Sequence, residues 1–162
     1  MSQQDPVVIV SAVRTPMGAL QGVFASLTAS QLGAVAIKAA VERAGISPAD
    51  VQEVIFGNVL SAGQGQAPAR QAMRGAGLPD SANATTINKM CGSGLKAIML
   101  AHDLILAGSN EVMVAGGMES MTNAPHLLAK MRSGIKYGGS EVLDHMAVDG
   151  LEDAYERKTP MG

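Results

Sequence analysis

The sequence predicts an α/β protein of βαβαβαβ order, with a largely parallel sheet flanked by helices. Three observations carry that prediction. Short apolar, β-branched runs alternate with longer stretches of helical periodicity. Glycine or proline punctuates most of the boundaries between them. The connections are short, which suits strand–helix–strand units whose helices cross back over the sheet.

Taken in order, residues 7–13 are an apolar, β-branched run ended by Arg14-Thr15-Pro16 and read as a buried strand. Residues 18–26 form a loop. Thr28 or Ser30 can cap a helix running to about Ala44, with Leu32, Val35, Ala36 and Ala39 on one face and Gly45 past its end. Ser47-Pro48 opens a turn, and residues 53–60 (EVIFGNVL) are the next strand. Gly63 and Gly65 precede a second helix over about 67–75, stopped by Gly77 and Pro79. Residues 84–88 are a short strand. A third helix over about 93–107 is apolar almost all round, through Leu95, Ile98, Met99, Leu100, Leu104, Ile105 and Leu106, which predicts burial on several sides. Residues 111–115 are a fourth strand, ended by Gly116-Gly117. From Met118 onward the pattern changes to an excursion from the sheet, with helical turns predicted at 142–146 and 151–155. The division expected is residues 1–118 as an α/β core and 119–162 as the start of a second, incomplete unit. The ending Pro160-Met161-Gly162, without a polar tail or cap, reads as cut.

Composition narrows the function classes. With 47% hydrophobic and 16% charged residues, the chain has material for a core and is not a disordered tail. Eleven Met against no Trp, two Phe and two Tyr means aliphatic-plus-Met packing replaces aromatic packing. A formal charge of −2 offers no electrostatic footprint for nucleic acid, and the scarcity of aromatics leaves no base-stacking platform. One cysteine cannot form an internal disulfide, which suits a reducing compartment. Residues 1–6 lack the layout of a signal peptide, and no apolar run approaches membrane-spanning length. A soluble, cytoplasmic protein is expected.

The residue with most chemistry is that cysteine. Cys91 stands in the run Asn88-Lys89-Met90-Cys91-Gly92-Ser93-Gly94, between a predicted strand and a predicted helix. A thiol there lies at the positive end of a helix dipole, among main-chain N–H groups without intrahelical partners. That setting favours thiolate and supplies donors to an oxyanion on any carbonyl the sulfur attacks. Gly92 and Gly94 leave the backbone open to a substrate. The local pattern alone fits equally a buried cysteine packing as a small hydrophobe.

Several runs then converge on one family. The opening VIVSAVRTP (residues 8–16), the stretch GNVL (57–60) followed by GQGQAPARQA (63–72), the run NKMCGSGLKA (88–97) and the strand end AGGMESM (115–121) together resemble thiolases, in order along the chain. The resemblance implies the N-terminal half of the thiolase fold, a mixed sheet with flanking helices, plus the start of an inserted loop domain from residue 119. It implies acyl transfer with Cys91 as nucleophile, forming an acyl thioester either in condensation of acetyl-CoA to acetoacetyl-CoA or in thiolysis of 3-ketoacyl-CoA. Acyl-CoA and CoA are then substrates, with no separate cofactor. The resemblance also implies substrate contacts by Leu151 and Met161, for which ordinary core packing stands as the alternative. It implies a homodimer or homotetramer of the full-length protein, paired through the strand around residues 84–89. The family's second cysteine and its second-half histidine have no counterpart here, so this chain alone is expected to lack turnover.

Other residues carry less. His102, His126 and His145 show no metal-ligand spacing, so no metal site is expected. Lys130, Arg132 and Lys136 suit CoA phosphates, a tetramer contact or a solvated surface. Pro160 departs from the histidine some family members carry before Met-Gly. Two rivals remain: a non-catalytic CoA-binding or oligomerisation module of the same fold, and a condensing enzyme of the β-ketoacyl synthase type, which the Cys91 and Gly-Gly-Met-Glu-Ser-Met segments match less well.

Overall fold

A computed structural model of the chain describes residues 6–158. Helix α1 (Ala29–Ala44) starts on a capping box: the Thr28 hydroxyl accepts from Gln31 N–H at 3.2 Å, and the Gln31 side chain accepts from Thr28 N–H at 2.9 Å. It ends on Gly45, whose φ of 69° is the left-handed stop that glycine adopts without strain. Strand β1 (Glu53–Gly57), helix α2 (Pro68–Gly75), strand β2 (Asn83–Ile87), helix α3 (Ser93–Leu106) and strand β3 (Met113–Gly117) follow in alternation. The three strands form one parallel sheet in the order β2-β1-β3, in register Gly57↔Ile87 and Gly57↔Gly117. All three therefore end at the same edge, and the turns that follow them meet there.

Alternation along β1 sorts the layers. Val54 and Phe56 join a core with Ile37 and Val41 of α1, Ala69, Ala72 and Met73 of α2, and Met118. Ile55, equally buried, belongs to the opposite face, where α3 packs on β1 and β3. The crossover through α2 runs from β1 to β2, and the one through α3 runs back over β1 to β3. Reversing direction puts the second helix on the other face, as right-handed crossovers require.

Three expectations are corrected. Residues 7–13 form no strand: Val8, Ile9 and Val10 are 72, 76 and 68% exposed. This segment, α1, β3 and α3 line a cavity of about 640 Å³, and the sheet of described strands does not include it. Helix α3 is not buried on several sides. Only Ser93, Ala97 and Ala101 are buried, while Leu95, Ile98, Met99 and Leu106 are 41–66% exposed, because the sheet covers one face and no other described element covers the rest. The helical turn expected at 142–146 begins only at His145. Val142–Asp144 is strand β5, antiparallel to β4 (His126–Leu128), so three apolar or short residues found a cross-strand partner instead of a helical repeat. The helical turn expected at 151–155 lies slightly earlier, as a π-helical turn at Ala147–Leu151. Strand β1 also stops at Gly57, three residues short of the predicted end, for a reason that lies in the site.

Candidate functional site around Cys91

Cys91 occupies the turn from β2 into α3, and its thiol is exposed. Exposure removes the packing alternative, because this sulfur fills no core position. The turn is built by side chains on both flanks. Asn88 Oδ1 accepts from Met90 N–H at 2.9 Å. The hydroxyl of Ser93, a residue only 5% exposed, accepts from Lys89 N–H at 2.8 Å and donates to the Met90 carbonyl at 2.6 Å. Gly92 N–H closes on the Lys89 carbonyl at 3.1 Å and Ser93 N–H on the Met90 carbonyl at 3.0 Å. Between these anchors Met90 has φ = 49°, a left-handed backbone that disfavours a residue with Cβ by about 1–2 kcal/mol. No side chain caps α3, so the donors of its first turn are not taken up by a neighbouring oxygen of that kind.

Absence of side chains lets the helix seat so low on the sheet. A Cβ on Gly57 would lie 2.4 Å from Ser93 Cβ and 2.9 Å from the Ser93 carbonyl carbon. Gly94 and Gly117 pass at van der Waals range, 3.5 Å from a Cβ on Gly117 to Gly94 Cα. The ends of β1 and β3 thus touch the first turn of α3 directly, fixing where the Cys91 turn stands.

Beside it, Glu119 ties β3 to the turn after β1. Its Oε1 accepts from Asn58 Nδ2 at 2.8 Å and Leu60 N–H at 3.0 Å, and its Oε2 accepts from Val59 N–H at 2.8 Å. These main-chain donors are drawn off to a carboxylate, which is why β1 ends at Gly57. Asn58, 2% exposed, also donates to the Met118 carbonyl at 3.2 Å and accepts from Gln64 Nε2 at 3.2 Å. Further along, buried His145 accepts from Ala62 N–H through Nε2 at 3.3 Å, which leaves the proton on Nδ1 to be donated to Asp149 Oδ2 at 2.6 Å.

Of the catalytic and substrate-contact residues expected from sequence, only Cys91 lies in this turn. Leu151 is half-buried at the end of the π-helical turn, and Met161 lies outside the described residues. Lys130, Arg132 and Lys136 are exposed. His102 lies 3.2 Å from Asp103 Oδ1 through Nδ1, a structural contact, and His126 is exposed. A second cavity of about 250 Å³, lined by Thr28, Ala62, Gln64, Ser120, Asn123 and Pro125 among others, does not include Cys91, and neither does the larger one. Among the described residues no cluster of His, Cys, Asp and Glu could hold a metal ion, and no helix is long and apolar enough to cross a membrane. Sequence reasoning missed Ser93, Asn58, Glu119 and the His145–Asp149 pair. Only the last left a local signal, its four-residue spacing.

Residues 7–162 match the family model described as "Thiolase, N-terminal domain". Among curated relatives, the cytosolic acetyl-CoA acetyltransferase of Gibberella zeae is 55% identical over 157 residues, covering 97% of this chain and 40% of the relative. The acetyl-CoA acetyltransferase of Schizosaccharomyces pombe is 56% identical over 156 residues, covering 96% and 39%. The mitochondrial acetyl-CoA acetyltransferase B of Xenopus laevis is 56% identical over 153 residues, covering 94% and 36%. The chain spans about two-fifths of the length of these relatives.

Proposed function

Because this chain belongs to the thiolase family, whose N-terminal domain it matches over residues 7–162, we propose that Cys91 accepts an acyl group from a CoA thioester. The carrying observation is an exposed thiol held on the turn into an uncapped helix N-terminus. Thiolate attack on the carbonyl carbon of acetyl-CoA forms a C–S bond and places negative charge on the oxygen. The N–H groups of Lys89, Met90, Gly92 and Ser93 are taken by acceptors within the turn, so the Cys91 N–H is the donor of this turn that meets that charge, and collapse expels CoA as thiolate, leaving acetyl-Cys91. In the whole protein the acyl group then passes to the α-carbon of a second acetyl-CoA, giving acetoacetyl-CoA. The reverse is thiolysis of a 3-ketoacyl-CoA. Condensation needs a base at that α-carbon, and this chain has no second cysteine to serve. Turnover is therefore assigned to the full-length protein, with acyl-CoA and CoA as substrates and no resident cofactor.

The organisation follows the same reading. Residues 1–118 are the α/β core and 119–162 open a loop domain, a division supported by the separate β4–β5 ladder. Leu151 and Met161 belong to the CoA and acyl pockets. Among the described residues strand β2 pairs with β1 on one side only, so its outer edge suits pairing with a second copy in a homodimer or homotetramer. A single exposed thiol suits the cytoplasm or another reducing compartment, and the relatives' names include both cytosolic and mitochondrial forms.

Intact mass after incubation with acetyl-CoA tests the reading. One thiol-labile acetyl group on Cys91, absent from Cys91→Ser, is the expected result. A folded sample that takes up none would overturn nucleophilic chemistry and leave a non-catalytic CoA-binding module. A coupled thiolysis assay on the isolated chain should give no sustained turnover.

A further inference from the structure

We infer that Ser93 and Asn88 are positioning residues which hold Met90 in its left-handed conformation and thereby aim the Cys91 sulfur. The inference rests on the nucleophile reading above but concerns residues that reading does not use. A non-glycine residue at φ = 49° relaxes unless its surroundings hold it. Here three side-chain contacts do so, beside the main-chain bonds from Gly92 N–H to the Lys89 carbonyl and from Ser93 N–H to the Met90 carbonyl. Asn88 Oδ1 takes the Met90 N–H at 2.9 Å, while the Ser93 hydroxyl takes the Lys89 N–H at 2.8 Å and gives its own proton to the Met90 carbonyl at 2.6 Å. Both ends of the Met90 peptide unit are therefore gripped, and Cys91 is the next residue. Ser93 cannot drift with the turn, because it is 5% exposed and its Cβ sits where β1 has only Gly57. The hydroxyl transmits the position of the sheet to the turn. Met90 itself is 46% exposed, so its backbone is held by these hydrogen bonds and not by burial of its side chain.

A cycle of substitutions separates this role from plain stabilisation. The rate of Cys91 alkylation by iodoacetamide is measured against pH on the full chain, by mass of the Cys91 peptide, for wild type, Ser93→Ala, Asn88→Ala and each combined with Met90→Gly. Glycine takes up a positive φ freely, so it removes the need for the clamp. Ser93→Ala is expected to lower the high-pH plateau by about fivefold, the rate equivalent of one left-handed residue's conformational cost. Asn88→Ala should act in the same direction. In the Met90→Gly background both losses should shrink to within about twofold, since the strain they resist is gone. A plateau unchanged in Ser93→Ala, or an equal loss with and without Met90→Gly, would overturn the inference. Should Ser93→Ala not fold by circular dichroism, the exposed Asn88 pair decides by the same criterion. Acetyl-CoA run in parallel on the wild type keeps the two readings apart. Acetylation of Cys91 with a failed cycle sinks only the clamp, whereas a sound cycle without acetylation sinks only acyl transfer.

Discussion

Replacing Glu119 by alanine should destabilise the fold through three donors at once. Its carboxylate takes Asn58 Nδ2, Val59 N–H and Leu60 N–H at 2.8, 2.8 and 3.0 Å. Their burial sets the magnitude. Leu60 is 3% exposed, so its N–H would lose its partner out of reach of water, at about 1–3 kcal/mol. Asn58 is 2% exposed but keeps the Met118 carbonyl, and Val59 is half-buried, so each adds about 0.5–1 kcal/mol. The sum is roughly 2–5 kcal/mol, read as a fall of about 1–2.5 M in the urea midpoint at an unchanged slope of about 2 kcal/mol per M. Glu119→Gln separates charge and geometry from simple packing. One oxygen still serves two donors, while the new amide N–H confronts the Val59 N–H, so about half the loss is expected. A shift below about 0.5 kcal/mol in the alanine variant, or a glutamine variant as unstable as alanine, would refute the account.

Three further outcomes are expected. Gly57→Ala sets a Cβ 2.4 Å from Ser93 Cβ, so β1 and α3 must part; a loss of about 1–3 kcal/mol in denaturant titration, with altered Cys91 alkylation, is the expected result. Thr28→Ala removes the capping box of α1 and should lower stability by about 1 kcal/mol, measured as a fall in Tm, with no effect on Cys91 alkylation. His145→Ala strips Ala62 N–H of its acceptor and Asp149 of its donor, so amide exchange at Ala62 should accelerate well before that of β1.

Much of the scaffold was legible because its signals are local. Thr28, Gln31 and Gly45 mark α1 within a few residues of its ends, and Gly108 follows α3 with φ = 74°. Cys91 was legible for the same reason, as a thiol at a strand-to-helix junction. Residues 7–13 were misread because apolar, β-branched composition says that a segment wants burial but not against what, and here the described strands form their sheet without it. Helix α3 was misread likewise: an all-round apolar pattern states a demand for cover that the sheet meets on one face. The 142–146 segment is too short for period to separate a strand from a helical turn. The groups that hold the site were illegible because their partners lie far off in sequence. Glu119 reaches back 59–61 residues, and Ser93 meets Gly57 across 36, distances over which no periodicity carries information.

The side of α3 turned from the sheet has a practical consequence. Leu95, Ile98, Met99 and Leu106 recur at intervals of three, one and seven, a stripe along nearly the whole helix that water must hydrate. Ordering water along such a stripe is unfavourable, and two stripes meeting face to face would release it. The polypeptide as it stands should therefore scatter light increasingly with concentration and salt, and Ile98→Lys with Met99→Gln should suppress that behaviour while leaving the sheet intact.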